Sequence, residues 1–177
     1  GLSLFDAEVI QGKEMSFNNY SDAHSALMLV REFTHIACAI IKHNNPCGVA
    51  MGKTAKDAFD KAYKTDTSSA FGGVLACNTS VDESVAKEIS AIFVEVVIAP
   101  DFSEDALKEF AAKPNIRILK LPEMKEKEIS GFDIKRIAGG VLLQDWDTTS
   151  VDVSSLKCVT KREPTQEELQ GLEFAWK

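Results

Sequence analysis

The sequence predicts an α/β protein: a three-layer α/β/α domain on a mostly parallel sheet. Three observations carry that expectation. Short apolar runs recur at 36–41, 74–77, 94–98 and 116–119. Between them lie amphipathic stretches of about ten residues with helical periodicity, a pattern that favours right-handed crossovers and a sheet covered on both faces. The length of 177 residues, with 45% hydrophobic and 27% charged side chains, supplies one sizeable core.

Taken in order, residues 1–20 carry the alternations Ala7-Glu8-Val9-Ile10 and Met15-Ser16-Phe17, separated by Gly12, and predict one or two short strands. Ser21 or Asp22 is the expected cap of a helix whose apolar face is Ala23, Ala26, Leu27, Val30 and Phe33. The run 35–42 is apolar after His35 and too short for a helix, which predicts an inner strand of the parallel type. Asn44-Asn45-Pro46-Cys47-Gly48 reads as the loop that turns the chain. Thr54 opens a second helix with Ala55, Ala58, Phe59 and Ala62 on one face.

Residues 67–73 then form a loop feeding a strand at 74–77, and Val85, Ile89 and Ile92 mark a helix over about 82–92. The strand at 94–98 is stopped by Pro100, Ser103 caps a short helix through Leu107, Phe110 and Ala111, and 116–119 is a further strand. The core therefore spans about 21–121, followed by connection and edge strands over 122–164. Within the latter, 122–131 is a solvated Glu/Lys-rich connection, and 132–147, broken at Gly139-Gly140, is a hairpin or edge pair. Thr165-Gln166-Glu167-Glu168 is a capping box opening a helix with Leu169, Leu172 and Trp176 on one face. Large apolar residues in its last turn predict that 165–177 is the start of a longer helix and the chain a piece of a longer polypeptide.

A net charge of −7 and a pI near 5.0 give no general attraction to phosphate backbones or anionic membranes. Neither nucleic acid nor a membrane is an expected partner. No apolar run approaches the roughly 18 residues of a membrane span, and the N-terminus lacks a signal-peptide pattern, so a cytoplasmic location is expected. Cys38, Cys47, Cys77 and Cys158 form no CxxC pair and read as reduced thiols.

Lys42 and His43 stand where the strand 35–42 runs out, the edge of an α/β sheet at which ligands bind. Adjacent strand residues point to opposite sides, so both can meet one ligand only if the backbone turns at once. A solvated lysine beside a surface histidine is the other reading. Zinc fails as a partner: the deaminase signature needs H-x-E and P-C-x-x-C, whereas Asn45 and Ala50 occupy two of its positions. Phosphate-cradling patterns fail as well, since Gly72-Gly73 precedes a strand and does not open a helix. Those glycines mark a tight turn or a close backbone approach, or else a flat ligand lies on them and on Phe71. Cys47 with His43 as its base lacks an identifiable orienting carboxylate. There remains a proton-transfer pair, in which an ammonium disfavours the imidazolium beside it and stabilises an oxyanion developing on a carbonyl. That combination suits acyl transfer to a weakly basic amine.

Lys42-His43-Asn44-Asn45-Pro46-Cys47-Gly48, Tyr63-Lys64-Thr65-Asp66, Ser69-Ala70-Phe71-Gly72-Gly73 and the run Phe93 to Pro100 resemble the transformylase domain of the bifunctional purine-biosynthesis enzymes. Those enzymes combine AICAR (5-aminoimidazole-4-carboxamide ribonucleotide) transformylase with IMP cyclohydrolase. The resemblance covers essentially the whole chain and implies transfer of a formyl group from 10-formyltetrahydrofolate, the co-substrate, to the 5-amino group of AICAR. It further implies a zinc-free, cytidine-deaminase-like fold, no metal in this segment, AICAR and folate as partners, and a homodimer.

By the same resemblance His43 moves the proton of the attacking amine, and Lys42 holds the formyl oxygen. Asn19 and Asn45 are substrate-binding positions, Phe71 and Gly72 line the pocket, and Glu95 is an acidic position of the site. Satisfying a loop backbone is the other reading of Asn19, and an exposed strand residue the other reading of Glu95. The departure is one of extent. The cyclohydrolase domain, a phosphate-holding stretch before this point and a second subdomain are absent, so the chain resembles the first half of the transformylase and is expected to be inactive alone. A non-catalytic nucleotide-binding or assembly module is the competing function.

Overall fold

The computed structural model describes residues 1–125, 128 and 131–177, in two units, Gly1–Ile129 and Ser130–Lys177. In the first, each amphipathic stretch becomes a helix where a side chain caps it. These are α1 (Phe17–Arg31), α2 (Ala55–Thr65), α3 (Glu83–Ser90) and α4 (Glu104–Ala111), capped by Ser16, Thr54, Asp82 and Ser103. The strands are β1 (Glu8–Gln11), β2 (Ala37–Lys42), β3 (Asn45–Met51), β4 (Gly73–Cys77), β5 (Val94–Ala99) and β6 (Arg117–Lys120). They form one sheet in the order β1-β6-β5-β4-β2-β3.

β4, β5 and β6 pair in parallel, while β2 is antiparallel to both β4 and β3, and β1 is antiparallel to β6. Four strands thus run one way, and β1 and β2 run against them. The pleat sends Cys38, Ile40, Leu75, Cys77, Val97 and Ile118 into a core with Phe59, Val85, Ile89 and Phe110 of α2–α4. The opposite face packs on α1 through its buried Ala23, Ala26, Leu27 and Val30, which completes three layers. Buried Asn78 fixes the entry to β2: it accepts from Ala37 N at 2.9 Å and donates to the carbonyls of Phe33 and His35 at 2.9 and 2.8 Å.

Three local expectations are corrected. The segment 35–42 does contain an inner strand, but of the antiparallel type. Residues 45–51 are strand β3 and not a loop, because Lys42 pairs with Asn45 across a two-residue hairpin. Pro46 is accommodated there because β3 is the edge of the sheet, where a missing N–H leaves no ladder bond open. Gly48 is in place because α2 crosses so closely that a Cβ would fall 2.0 Å from Ala62 O. Finally, α1 starts a turn earlier than Ser21 or Asp22. Ser16 and Asn19 form a capping box, which also replaces the strand read at Met15-Ser16-Phe17.

The second unit contains the hairpin β7 (Phe132–Ile137) and β8 (Gly140–Asp145), turned at Gly139 with φ +81°. Its helix α5 (Gln166–Trp176) is capped by Thr165 and Glu168 as expected. Of the connection read at 122–131, residues 126, 127, 129 and 130 lie outside the described residues. Among the described residues no helix is long and apolar enough to cross a membrane.

Candidate active site

The reversal of β2 sets the location. Its carboxyl end lies at the same edge of the sheet as the amino ends of β3, β4 and β5. Lys42 and His43 therefore meet the segments leading into those strands, where the sequence suggested only the end of their own strand. His43 and Asn44 are the two turn residues, with φ of 54° and 61°. Positive φ at both positions is the geometry of a type I′ hairpin, which asparagine tolerates and histidine adopts at a cost of about 1–2 kcal/mol.

Helix α1 holds this turn. Asn44 N donates to Asp22 Oδ1 at 2.8 Å, and Asn44 Oδ1 accepts from Ser21 Oγ at 2.8 Å and Ser25 Oγ at 3.1 Å. Asn45 Nδ2 closes the turn by donating to His43 O at 2.9 Å. His43 leaves the strand at this point, so the opposite-sides rule for adjacent residues no longer separates it from Lys42.

Lys42 Nζ donates to Phe71 O, one residue before Gly72. Gly72 has φ +71°, its N–H donates to Phe93 O at 2.7 Å, and a Cβ there would lie 3.5 Å from the Phe93 ring and 3.8 Å from Lys42 Nζ. Both expectations for the glycine pair thus meet: Gly72 takes the tight turn, and Gly73 the close backbone approach, where a Cβ would lie 3.0 Å from Ala70 O. Phe71 and Phe93 contact each other with centroids 5.2 Å apart, yet both rings are exposed, Phe71 by 62%.

A cleft of about 420 Å³ is lined by Lys42, His43, Asn45, Pro46, Cys47, Asp66 and Ser69. Ser69 donates to Asp66 through its hydroxyl at 2.6 Å and its backbone N–H at 2.9 Å, holding the Asp66 carboxyl below the usual carboxylate range. Burial, then the negative charge of Asp66, push the Cys47 thiol up, against the opposing pull of Lys42. Cys47 is therefore the weaker candidate for a nucleophile. A larger cavity of about 1050 Å³ is lined by residues of 153–173 alone, and it contains none of the expected site residues.

Of the expected residues, Lys42, His43 and Asn45 line this cleft, Phe71 and Gly72 adjoin it through the Lys42 bond to Phe71 O, and Asn19 and Glu95 stand apart from both. Asn19 Oδ1 accepts from Ser16 N at 3.0 Å and Ser16 Oγ at 2.9 Å, so its side chain serves the start of α1. Glu95 is the unpaired residue of a bulge where β5 slips against β4, and its Oε2 accepts from Arg117 Nη1 at 2.7 Å. Sequence reasoning missed Ser21, Asp22, Ser25 and Arg117. The only signal was the spacing of Ser21 and Ser25, which puts two hydroxyls on one helix face. Among the described residues no group of His, Cys, Asp and Glu side chains could hold a metal ion.

The family model described as "AICARFT/IMPCHase bienzyme" matches residues 2–177. The chain is 52% identical over 177 residues to the bifunctional purine biosynthesis protein PurH of Aquifex aeolicus, covering 99% of this chain and 34% of that one. It is 48% identical to PurH of Persephonella marina, covering 100% of this chain and again 34% of the relative. It thus spans about a third of the length of these curated relatives. Among solved structures, a dCMP deaminase from the cyanophage S-TIM5 is similar over 61% of this chain and all of that one, with 13% identity and a TM-score of 0.43. RibD of Acinetobacter baumannii is similar over 56% and 35% respectively, with 15% identity and a TM-score of 0.41.

Proposed function

The chain belongs to the AICARFT/IMPCHase bienzyme family, and on that premise we propose that it forms the first half of a transformylase domain acting in purine biosynthesis. The reaction is transfer of the formyl group of 10-formyltetrahydrofolate to the 5-amino group of AICAR. The full-length polypeptide, a homodimer, performs it, and these 177 residues alone do not.

The observation that carries this reading is the junction of Lys42 and His43 at one hairpin end. The two are held by separate networks beside exposed aromatic rings and a glycine backbone. An aromatic amine deactivated by a neighbouring carboxamide is a poor nucleophile, so it needs a placed base and a placed acyl donor. His43 takes the proton of the amine as its nitrogen bonds to the formyl carbon. The lysine ammonium has three donors, one engaged by Phe71 O, and another stabilises the oxyanion. The bond from the formyl carbon to N10 of the folate then breaks, and the proton passes to that nitrogen, leaving tetrahydrofolate and the formamido nucleotide. Phe71 and Gly72 offer a ring and a flat backbone to a planar heterocycle, and Asn45 and Glu95 supply polar contacts to the substrates.

Steady-state kinetics on the full-length polypeptide test the proposal. His43→Ala is expected to lower kcat by about 10²–10⁴-fold with KM little changed, as for loss of a general base. A variant that changes only affinity would instead establish a non-catalytic binding module.

A further inference from the structure

Arg117, at the start of β6, has a side chain only 12% exposed, although it carries a full charge at a sheet edge. Its contacts explain that burial. Nε and Nη2 both donate to Glu14 O at 3.3 Å, and Nη1 donates to Glu95 Oε2 at 2.7 Å and reaches Glu95 O at 3.5 Å. The guanidinium therefore bridges the turn after β1 to the bulge of β5. Gly12, with φ +107°, is pressed against the same residue: a Cβ there would lie 2.6 Å from Arg117 Cα. Glu95 follows Phe93 by two residues, and Phe93 is the residue that receives the Gly72 N–H and touches Phe71. Bulges of this kind turn a side chain out of the ladder and hold it at a new angle. Oε2 of Glu95 is taken by Arg117, and among the described residues Oε1 accepts no hydrogen bond.

We propose that Arg117 is a positioning residue of the nucleotide site, holding the Glu95 carboxylate by one oxygen so that the other accepts an N–H or O–H of the substrate nucleotide. The inference rests on the formyl-transfer reading above and adds a residue to it. Arginine suits the task because its planar fork makes several directed bonds at once and never loses its charge, whereas a lysine would offer a single mobile point charge.

The test is initial-rate kinetics on the full-length polypeptide, with AICAR varied at saturating folate donor and then the reverse, for Arg117→Gln, Glu95→Gln and the double variant. Each single substitution is expected to raise the KM for AICAR about tenfold and to leave the KM for the folate within about twofold. The double variant should be no worse than either single one, because residues in contact that act through one group are non-additive. Arg117→Lys keeps a cation opposite Glu95 but gives up the bonds to Glu14 O, and should recover part of the loss. It also serves as the readout if the glutamine variant does not fold. A wild-type KM for AICAR in Arg117→Gln, multiplicative effects in the double variant, or an equal loss in Arg117→Lys and Glu95→Gln would overturn the inference. No turnover by the unsubstituted polypeptide would instead overturn the formyl-transfer reading, and the inference with it.

Discussion

Asp22 is a remote residue whose loss should reach the catalytic pair. Its carboxylate accepts the Asn44 N–H at 2.8 Å, the backbone bond that ties the His43-Asn44 turn to α1. A hydrogen bond to a charged acceptor contributes about 1.5–3 kcal/mol when buried. Asn44 is exposed, so about 1 kcal/mol is the appropriate figure after solvent screening. That is comparable with the roughly 1–2 kcal/mol that one non-glycine residue costs in the left-handed region, and this turn contains two of them. Asp22→Ala removes the bond and leaves only the Ser21 and Ser25 hydroxyls on the Asn44 side chain. The balance at the turn then shifts toward a relaxed backbone, which displaces His43. A displacement of about 1 Å costs as much as 100-fold in rate. Asp22→Asn keeps an oxygen acceptor and should lose less than half as much in both stability and rate. Thermal unfolding should show a drop of about 2–4 °C for Asp22→Ala, and kinetics on the full-length polypeptide should show kcat lowered by about tenfold or more. Full turnover in Asp22→Ala, or equal damage in the two variants, would refute the idea that α1 places the histidine.

Gly48→Ala should destabilise by about 3 kcal/mol, read as a lower urea midpoint, because its Cβ would fall 2.0 Å from the Ala62 carbonyl oxygen, a backbone atom that cannot step aside cheaply. An unchanged midpoint would show that α2 can shift on β3. Native-state alkylation followed by mass spectrometry should label Cys158 and Cys47 while sparing Cys38 and Cys77, which are fully buried opposite each other, burial also pushing the Cys38 thiol well up. Labelling of all four at one rate would contradict that packing. The Glu168 carboxyl is held down to about 2, first by its hydrogen bonds from Arg162 and then by the Thr165 N–H. A depressed acid stabilises the fold above its ordinary value of 4.5 and loses that contribution as pH falls toward 2. Protection factors of the amides at the start of α5, which divide out the intrinsic pH dependence of exchange, should therefore fall as pH drops through that window and stay constant above it, and a fall already under way near neutral pH would exclude the capping box as its cause.

The helices were legible because their signals are local. Thr54, Ser103 and the Thr165 capping box each precede an apolar stripe, and each caps the helix it announced. The start of α1 was misplaced because Ser16-Phe17-Asn18-Asn19 also satisfies a strand pattern. Only the reciprocal bonds of Ser16 and Asn19 decide between the two. β3 was illegible for a different reason. Pro46 and Gly48 look like breakers in isolation, and what admits them is tertiary: an edge position for the proline and a crossing helix for the glycine. The Lys42-His43 pair could be singled out from residue types and their place at a strand end. The grip of Asp22 on the turn could not be, since Asp22 lies 20 positions from Lys42 and is marked in the sequence only as a candidate helix cap, and Arg117, which holds Glu95, lies 75 positions from Lys42 and carries no local mark.

The reversed strand explains why the pair is useful where it is. Had β2 run with β4 and β5, its carboxyl end would share an edge with theirs, far from the segments that lead into them. Running against them, β2 brings the Lys42 ammonium to the Phe71-Gly72 turn that precedes β4 and, through Gly72, to Phe93 at the head of β5. The two-residue hairpin then does what an extended strand cannot. It moves His43 out of the alternation and places it on a turn that α1 can grip from the other layer. The strain in that turn is local, whereas the bonds that hold it come from the helix layer, so the position of the histidine depends on the packing of α1 against the sheet. A substitution that loosens this packing without touching the cleft, such as Leu27→Ala, should therefore lower kcat in the full-length polypeptide by more than its effect on KM for either substrate, and an equal change in both would separate the placement of His43 from the helix layer.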